Sequence, residues 1–283
     1  MESLQDAIEK ARLEREGLIG KTAALGTSQK DALPEEPTRM EDSKNAFEAG
    51  RNPSPLRSQL RYSATRRVQL NEDVLSMNRI IAGDIHDPRV EAYRQLRSQV
   101  LISMKRNNWH SLAITSAQEN AGKTLTAINL AICMSQEVTN TVMLVDLDLR
   151  TPHVHTALGI DIDKGIVDHL LHDEPLENIL VNPEFPRLVV LPGLPQGSHS
   201  SEILSSPEMS VFMDEITNRY PDRIIIFDLP PLLRNDDAIV FVPKADAFLF
   251  VVEQGVTRAD EIERSLQLLG PSKMMGTILN KAR

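Results

Sequence analysis

Cysteine is nearly absent. Cys133 is the one thiol in 283 residues, which rules out a disulfide within the sequence and a thiolate metal cluster. Its place in a helical pattern predicts a buried core side chain rather than a reactive thiol. Long apolar runs are missing too. No stretch of 18 apolar residues occurs, which excludes a membrane-spanning helix. The opening MESLQDAIEK lacks the basic and apolar regions of a secretory signal, so a cytoplasmic location is expected. Positive charge is in deficit. With 31 Lys and Arg against 40 Asp and Glu, the net charge of -9 argues against a protein that coats nucleic acid, and no nucleic-acid partner is expected. There are no internal repeats and no low-complexity tracts. What is present, 41% hydrophobic and 25% charged residues, is ordinary for a soluble globular chain. The length suits one large α/β domain with appendages, or two small domains.

Three segments are expected. Residues 1–18 read as a short amphipathic helix, with Ser3 as a cap and Leu4, Ile8, Ala11 and Leu18 on one face. Residues 19–66 mix Gly, Ser, Thr, Pro, Asn and charge without periodicity, the pattern of a flexible linker. Five arginines and no acidic residue fall between Arg51 and Arg67, either as a solvated linker stretch or as a basic patch for an anionic membrane surface. Residues 67–283 form the third segment, one folded domain. There, Asp87-Pro88 predicts the start of a helix whose buried face is Val90, Tyr93, Leu96, Val100, Leu101 and Met104. From Ser111 onward, apolar runs at 111–115, 141–145, 188–191, 223–227, 247–252 and 275–279 alternate with helical patterns. That alternation predicts an α/β fold, a mostly parallel sheet with helices on both faces.

The chemistry starts at Ala117-Gln118-Glu119-Asn120-Ala121-Gly122-Lys123-Thr124, which fits the phosphate-loop pattern between an apolar strand and an amphipathic helix. In such a loop, backbone N–H groups from Gln118 through Leu125 surround the phosphates. The helix N-terminus adds partial positive charge, Lys123 reaches the β- and γ-phosphates, and Thr124 places its hydroxyl on magnesium. Two later strands end in acid: Val142–Val145 leads into Asp146-Leu147-Asp148, and Ile224–Phe227 leads into Asp228. In a parallel sheet these ends converge on the crevice that holds the phosphate loop. Carboxylates there can organise magnesium or orient a nucleophile, so Asp146 and Asp228 are candidate metal ligands and Lys123, Asp146 and Asp148 candidate catalytic residues. The pairs His153/His155 and His169/His172 have no third ligand at metal spacing.

The phosphate loop, the run VMLVDLDLRTPHVH at 142–155 and IIIFDLPPLL at 224–233 together resemble the three nucleotide motifs of the bacterial tyrosine kinase family. The segment Glu91-Ala92-Tyr93-Arg94-Gln95-Leu96-Arg97 is similar to the family's E-x-x-R-x-x-R element. The resemblance covers about residues 87–283. It implies an ATP- and Mg2+-binding kinase that transfers the γ-phosphoryl group to protein tyrosine and regulates exopolysaccharide chain length or export. The implied partner is a membrane polysaccharide co-polymerase, which would recruit the chain to the inner face of the cell membrane. The resemblance further implies a homo-oligomer formed through Glu91, Arg94 and Arg97, and an adenine contact from Asn280. The sequence departs from the family pattern in several places. Asn120 stands at a common glycine, Thr151 at an arginine and Leu229 at a threonine, and the chain closes on Asn280-Lys281-Ala282-Arg283 without a tyrosine cluster. Its tyrosines are Tyr62, Tyr93 and Tyr220, of which Tyr62 is expected to be the accessible one. Two other readings stand beside the kinase. One is an ATPase switch of the partition or septum-placement type, whose members carry an extra lysine early in the loop that this chain lacks. The other is a non-catalytic nucleotide-binding regulator of the co-polymerase.

Overall fold

The six apolar runs become strands of one eight-stranded sheet, because such runs bury their faces when helices cover them; the two-residue strands Arg66–Arg67 and Val181–Asn182 complete it. The computed structural model describes residues 65–84, 86–219 and 222–282. The expected helix at 1–18, the linker before Thr65, Tyr62 and Tyr220 lie outside the described residues. In chain order the elements begin with β1 (Arg66–Arg67), α1 (Glu72–Met77), α2 (Val90–Asn107), β2 (Ser111–Ser116), α3 (Lys123–Ser135) and β3 (Thr141–Asp146). They continue with α4 (Val154–Leu158), α5 (Ile166–His172), α6 (Leu176–Ile179), β4 (Val181–Asn182), β5 (Leu188–Leu191), α7 (Ser200–Ser205) and α8 (Pro207–Asn218). The last are β6 (Arg223–Asp228), α9 (Asp237–Phe241), β7 (Ala247–Glu253), α10 (Ala259–Leu269) and β8 (Met274–Asn280).

The strand order is β1-β4-β5-β3-β6-β2-β7-β8, and every neighbouring pair is parallel except the antiparallel β4–β5 pair. The central strands β2, β3 and β6 are buried along their whole length. Alternate residues feed two cores. Leu112, Ile114, Val142, Leu144 and Ile226 pack with Val100 and Met104 of α2 and with α3 on one face. Met143, Val145, Ile225, Phe227 and Phe248 pack with Leu204 of α7, Met209 and Phe212 of α8 and Phe241 of α9 on the other. Helix α3 is buried on nearly every side from Thr126 to Ser135, which explains why its apolar residues continue around the helix. Cys133 lies there, fully buried.

Local signals account for most boundaries. Ser206 caps α8 by accepting from Met209 N at 3.1 Å, with Pro207 in the first turn. Asn108, in the left-handed conformation at φ 54°, ends α2. The start of α2 differs from expectation by two residues. Asp87 and Pro88 form a turn before the helix, in which Asp87 Oδ1 accepts from Arg89 N at 2.8 Å, and the helix itself begins at Val90. The serine-rich stretch at 198–206 is helical through α7, with Ile203 and Leu204 buried. Those two apolar residues draw it onto the core.

Candidate nucleotide site

The loop between β2 and α3 turns on two residues in the left-handed region. Gly122 has φ 96°, and Asn120 has φ 61° where the family has glycine. Asparagine tolerates that conformation better than most residues, so the loop keeps its shape. Helix α3 then starts at Lys123, and Gly122 O accepts from Thr126 N at 2.9 Å and Thr126 Oγ1 at 2.8 Å. Asn280, at the end of β8, donates from Nδ2 to Ala121 O at 2.8 Å. Its amide lies so close to Gly122 that a side chain there would collide with it. The residue expected at the base is therefore joined to the loop's own backbone.

Parallel pairing of β3 with β6 sets Asp146 opposite Asp228, while β2 pairs with β6 on the other side, bringing all three strand ends to the loop. Lys123 Nζ donates to Asp148 Oδ2 at 3.1 Å, and both groups are largely buried. Burial opposes the Lys123 charge, but Asp228, Asp148 and Asp146 outweigh it and hold the pKa above its ordinary value. Asp146 is fully buried. Its Oδ1 accepts from Asp148 N at 3.2 Å and its Oδ2 from His153 N at 3.0 Å and Val154 N at 2.9 Å. Burial first, then the facing Asp228, push its carboxyl well above the usual range despite those bonds.

Asp228 has neither oxygen in a hydrogen bond, although both are buried. Burial raises its pKa to about 6, against the pull of Lys123 and of the Thr124 hydroxyl, which lies close without donating in good geometry. A buried, unpartnered carboxylate beside a loop threonine is the oxygen donor set a hard cation takes, so these residues fit magnesium. Among the described residues no group of three or more His, Cys, Asp and Glu side chains is arranged to hold a metal ion.

Lys123, Thr124, Asp146, Asp148 and Asp228 thus converge, with Gln118–Ala121 forming the loop and Leu125 half-buried in the first turn of α3. The Glu91, Arg94 and Arg97 set sits elsewhere, on α2. Arg94 pairs with Glu91 at 3.6 Å, and Arg97 pairs with Glu137 at 3.2 Å and donates to Cys133 O at 3.4 Å. Arg97 is therefore already tied to the end of α3. Two supporting contacts were not legible as functional. Thr151 donates from N and Oγ1 to Asp148 Oδ1, at 3.0 and 3.1 Å, turning a departure from the family text into the support of Asp148. Arg150 grips the fully buried Asp237 with Nε and Nη2, tying the segment after β3 to α9. Arg150 lies within the run 142–155 and Asp237 four residues after 224–233, but neither position signals that the two side chains pair.

A family profile described as an AAA domain matches residues 110–263. Tyrosine-protein kinase YwqD of Bacillus subtilis is 32% identical over 192 residues, 67% of this chain and 80% of its own length. The chain belongs to the bacterial tyrosine kinase family. Solved structures agree with that membership. The chimerical protein CapA2B2 matches with a TM-score of 0.67 at 25% identity, over 77% of this chain and 93% of that one. The kinase domain of the Escherichia coli tyrosine kinase ETK matches with a TM-score of 0.65 at 26% identity, over 71% and 78%.

Proposed function

We propose that this chain is an ATP-dependent protein-tyrosine kinase acting in exopolysaccharide synthesis. The observation that carries the reading is Asp228, buried and without a hydrogen-bond partner, beside Thr124 and Lys123 of the phosphate loop. Thr124 and Asp228 would hold Mg2+, which supplies charge neutralisation on the phosphates when bound. Lys123 neutralises the β- and γ-phosphates, and Asp148, fixed by Thr151, sets the ammonium's position. An ionised carboxylate offers about four lone-pair sites. Three of those on Asp146 accept backbone N–H groups, which leaves one for the acceptor tyrosine hydroxyl. Its raised pKa suits it to take the proton as the phenolic oxygen joins the γ-phosphorus and ADP departs. Asn280 would meet the adenine once released from Ala121 O.

Tyr93 is half-buried on α2 and burial raises its pKa, so it is a poor acceptor. The acceptor is then Tyr62, expected to be accessible, or a tyrosine of a co-polymerase. We further propose that the membrane co-polymerase recruits the chain to the inner face of the membrane, and that Glu91, Arg94 and Arg97 join its copies. Incubation with ATP and Mg2+, alone and with the cytoplasmic tail of a candidate co-polymerase, should yield phosphotyrosine. Inorganic phosphate release with no phosphotyrosine in either mixture would refute the kinase and favour the ATPase switch. Nucleotide-dependent stabilisation with neither product would favour the regulator. Lys123→Met should abolish the nucleotide-induced rise in Tm. For the assembly, Arg94→Ala with Arg97→Ala should move the protein toward monomer on a sizing column; an unchanged elution would remove those arginines from the interface.

A further inference from the structure

The lip of the phosphate loop carries a charge that a phosphate site would not tolerate without compensation. Glu119 lies inside the arc that wraps the phosphates, and its carboxylate is paired with the Arg234 guanidinium. Arg234 follows Asp228 by six residues, and its backbone is fixed beside the loop. Thr115 Oγ1 donates to Pro230 O at 2.8 Å, Leu232 N to Ser116 O at 2.9 Å and Leu233 N to Ala117 O at 3.2 Å. The guanidinium therefore stands at the loop's mouth on a rigid base, while both members of the pair remain about half exposed, at 56% and 44%.

An exposed carboxylate–guanidinium pair contributes little to stability. A phosphate oxygen pair offers the same fork a bidentate acceptor with more charge. The neighbouring lip residue is held separately: Gln118 Nε2 donates to Glu261 Oε1 at 3.0 Å, so the loop does not depend on Arg234 for its shape.

We propose that Arg234 is a terminal-phosphate sensor that Glu119 holds in reserve. On nucleotide entry it leaves Glu119 for the γ-phosphate, giving the site a preference for a nucleoside triphosphate over a diphosphate. This rests on the nucleotide site assigned above. Glu119 acts as a counterweight. It keeps the arginine beside the mouth and lowers its affinity for phosphate until the γ-group competes.

The test is a set of equilibrium Kd values for MgATP and MgADP, measured by titration calorimetry on the full chain. Arg234→Ala should weaken ATP about tenfold and ADP less than about twofold, the size expected for one lost charge-assisted bond. Arg234→Lys should recover part of the difference. Glu119→Gln should tighten ATP by about threefold, and the double variant should resemble Arg234→Ala. Equal weakening of both nucleotides by Arg234→Ala, or no change in either, overturns the sensor while leaving the nucleotide site in place. Wild-type protein that binds neither nucleotide overturns the site itself and the sensor with it.

Discussion

Asp228 occupies an environment that penalises its charge. An unfolded carboxyl titrates near 3.8, and burial lifts the folded group to about 6, so between those values the native state binds the extra proton. Native stability from this group is fully present below pH 3.8 and is lost as pH rises through about 6, leaving the full penalty at neutral pH. Asn at the same position has no charge to desolvate. Asp228→Asn should therefore be more stable than wild type at pH 7.5, by about 1–3 kcal/mol, with the gap closing toward pH 4. Urea denaturation at both pH values checks this, and a gap that is constant or reversed would contradict it. The same ionisation serves the cation, so MgATP affinity of wild type should increase as pH rises through about 6 and be weak in Asp228→Asn throughout. Stability surrendered at a functional carboxylate in this way is a familiar exchange.

Helix α3 is tied to the segment before α2 by Asn129 and, at its C-terminal end, by Gln136, whose Nε2 donates to Ala82 O at 2.9 Å. Asn129 is fully buried. Its Oδ1 accepts from Ile81 N at 2.8 Å and Ala82 N at 2.9 Å, while Nδ2 donates to Leu125 O at 3.0 Å and Arg79 O at 3.2 Å. The anchored segment floors a cleft of about 600 Å³ lined by Leu75, Ile80, Ile81, Asp84, Arg89 and Phe185. Asn129→Ala would strand two backbone N–H groups and should cost about 3 kcal/mol. Hydrogen exchange at residues 79–84 should accelerate well beyond that of the central strands. Uniform acceleration across the sheet would instead mean that the segment has no separate opening. The sequence pattern carried the strands because a strand buried on both faces must be an apolar run, and the phosphate loop because its glycine and lysine have no substitutes. It carried nothing about Asn129, and nothing about the contacts that Thr151 and Arg150 make. A polar residue inside a helical pattern looks the same whether it faces water or satisfies a distant backbone, and the partner of Arg150 lies 87 residues away. The position of Arg97 was equally hidden. Its E-x-x-R-x-x-R spacing placed it on a helix face, but the end of α3 that receives it is a matter of tertiary packing.

At the scale of the molecule, every described residue belongs to one unit. Every buried apolar residue among those described falls between Ile80 and Leu269. The first strand, β1, is a two-residue edge that joins β4 and leaves both arginines exposed. These facts lead us to propose that the nucleotide domain folds without the leading segment. A chain beginning at Gln59 should keep its Tm within about 2 °C of the full chain and retain its MgATP affinity, since it keeps every buried apolar residue between Ile80 and Leu269. A second truncation beginning at Asp87 removes Ile80 and Ala82 from the core and the backbone that Asn129 anchors, and should lower Tm by about 10 °C or prevent folding. Thermal unfolding of the two truncations beside the full chain distinguishes the boundaries. A loss of more than about 5 °C on removing residues 1–58 alone would show that the leading segment contributes to the folded core. Equal stability of the two truncations would show that α1 and the segment after it are dispensable.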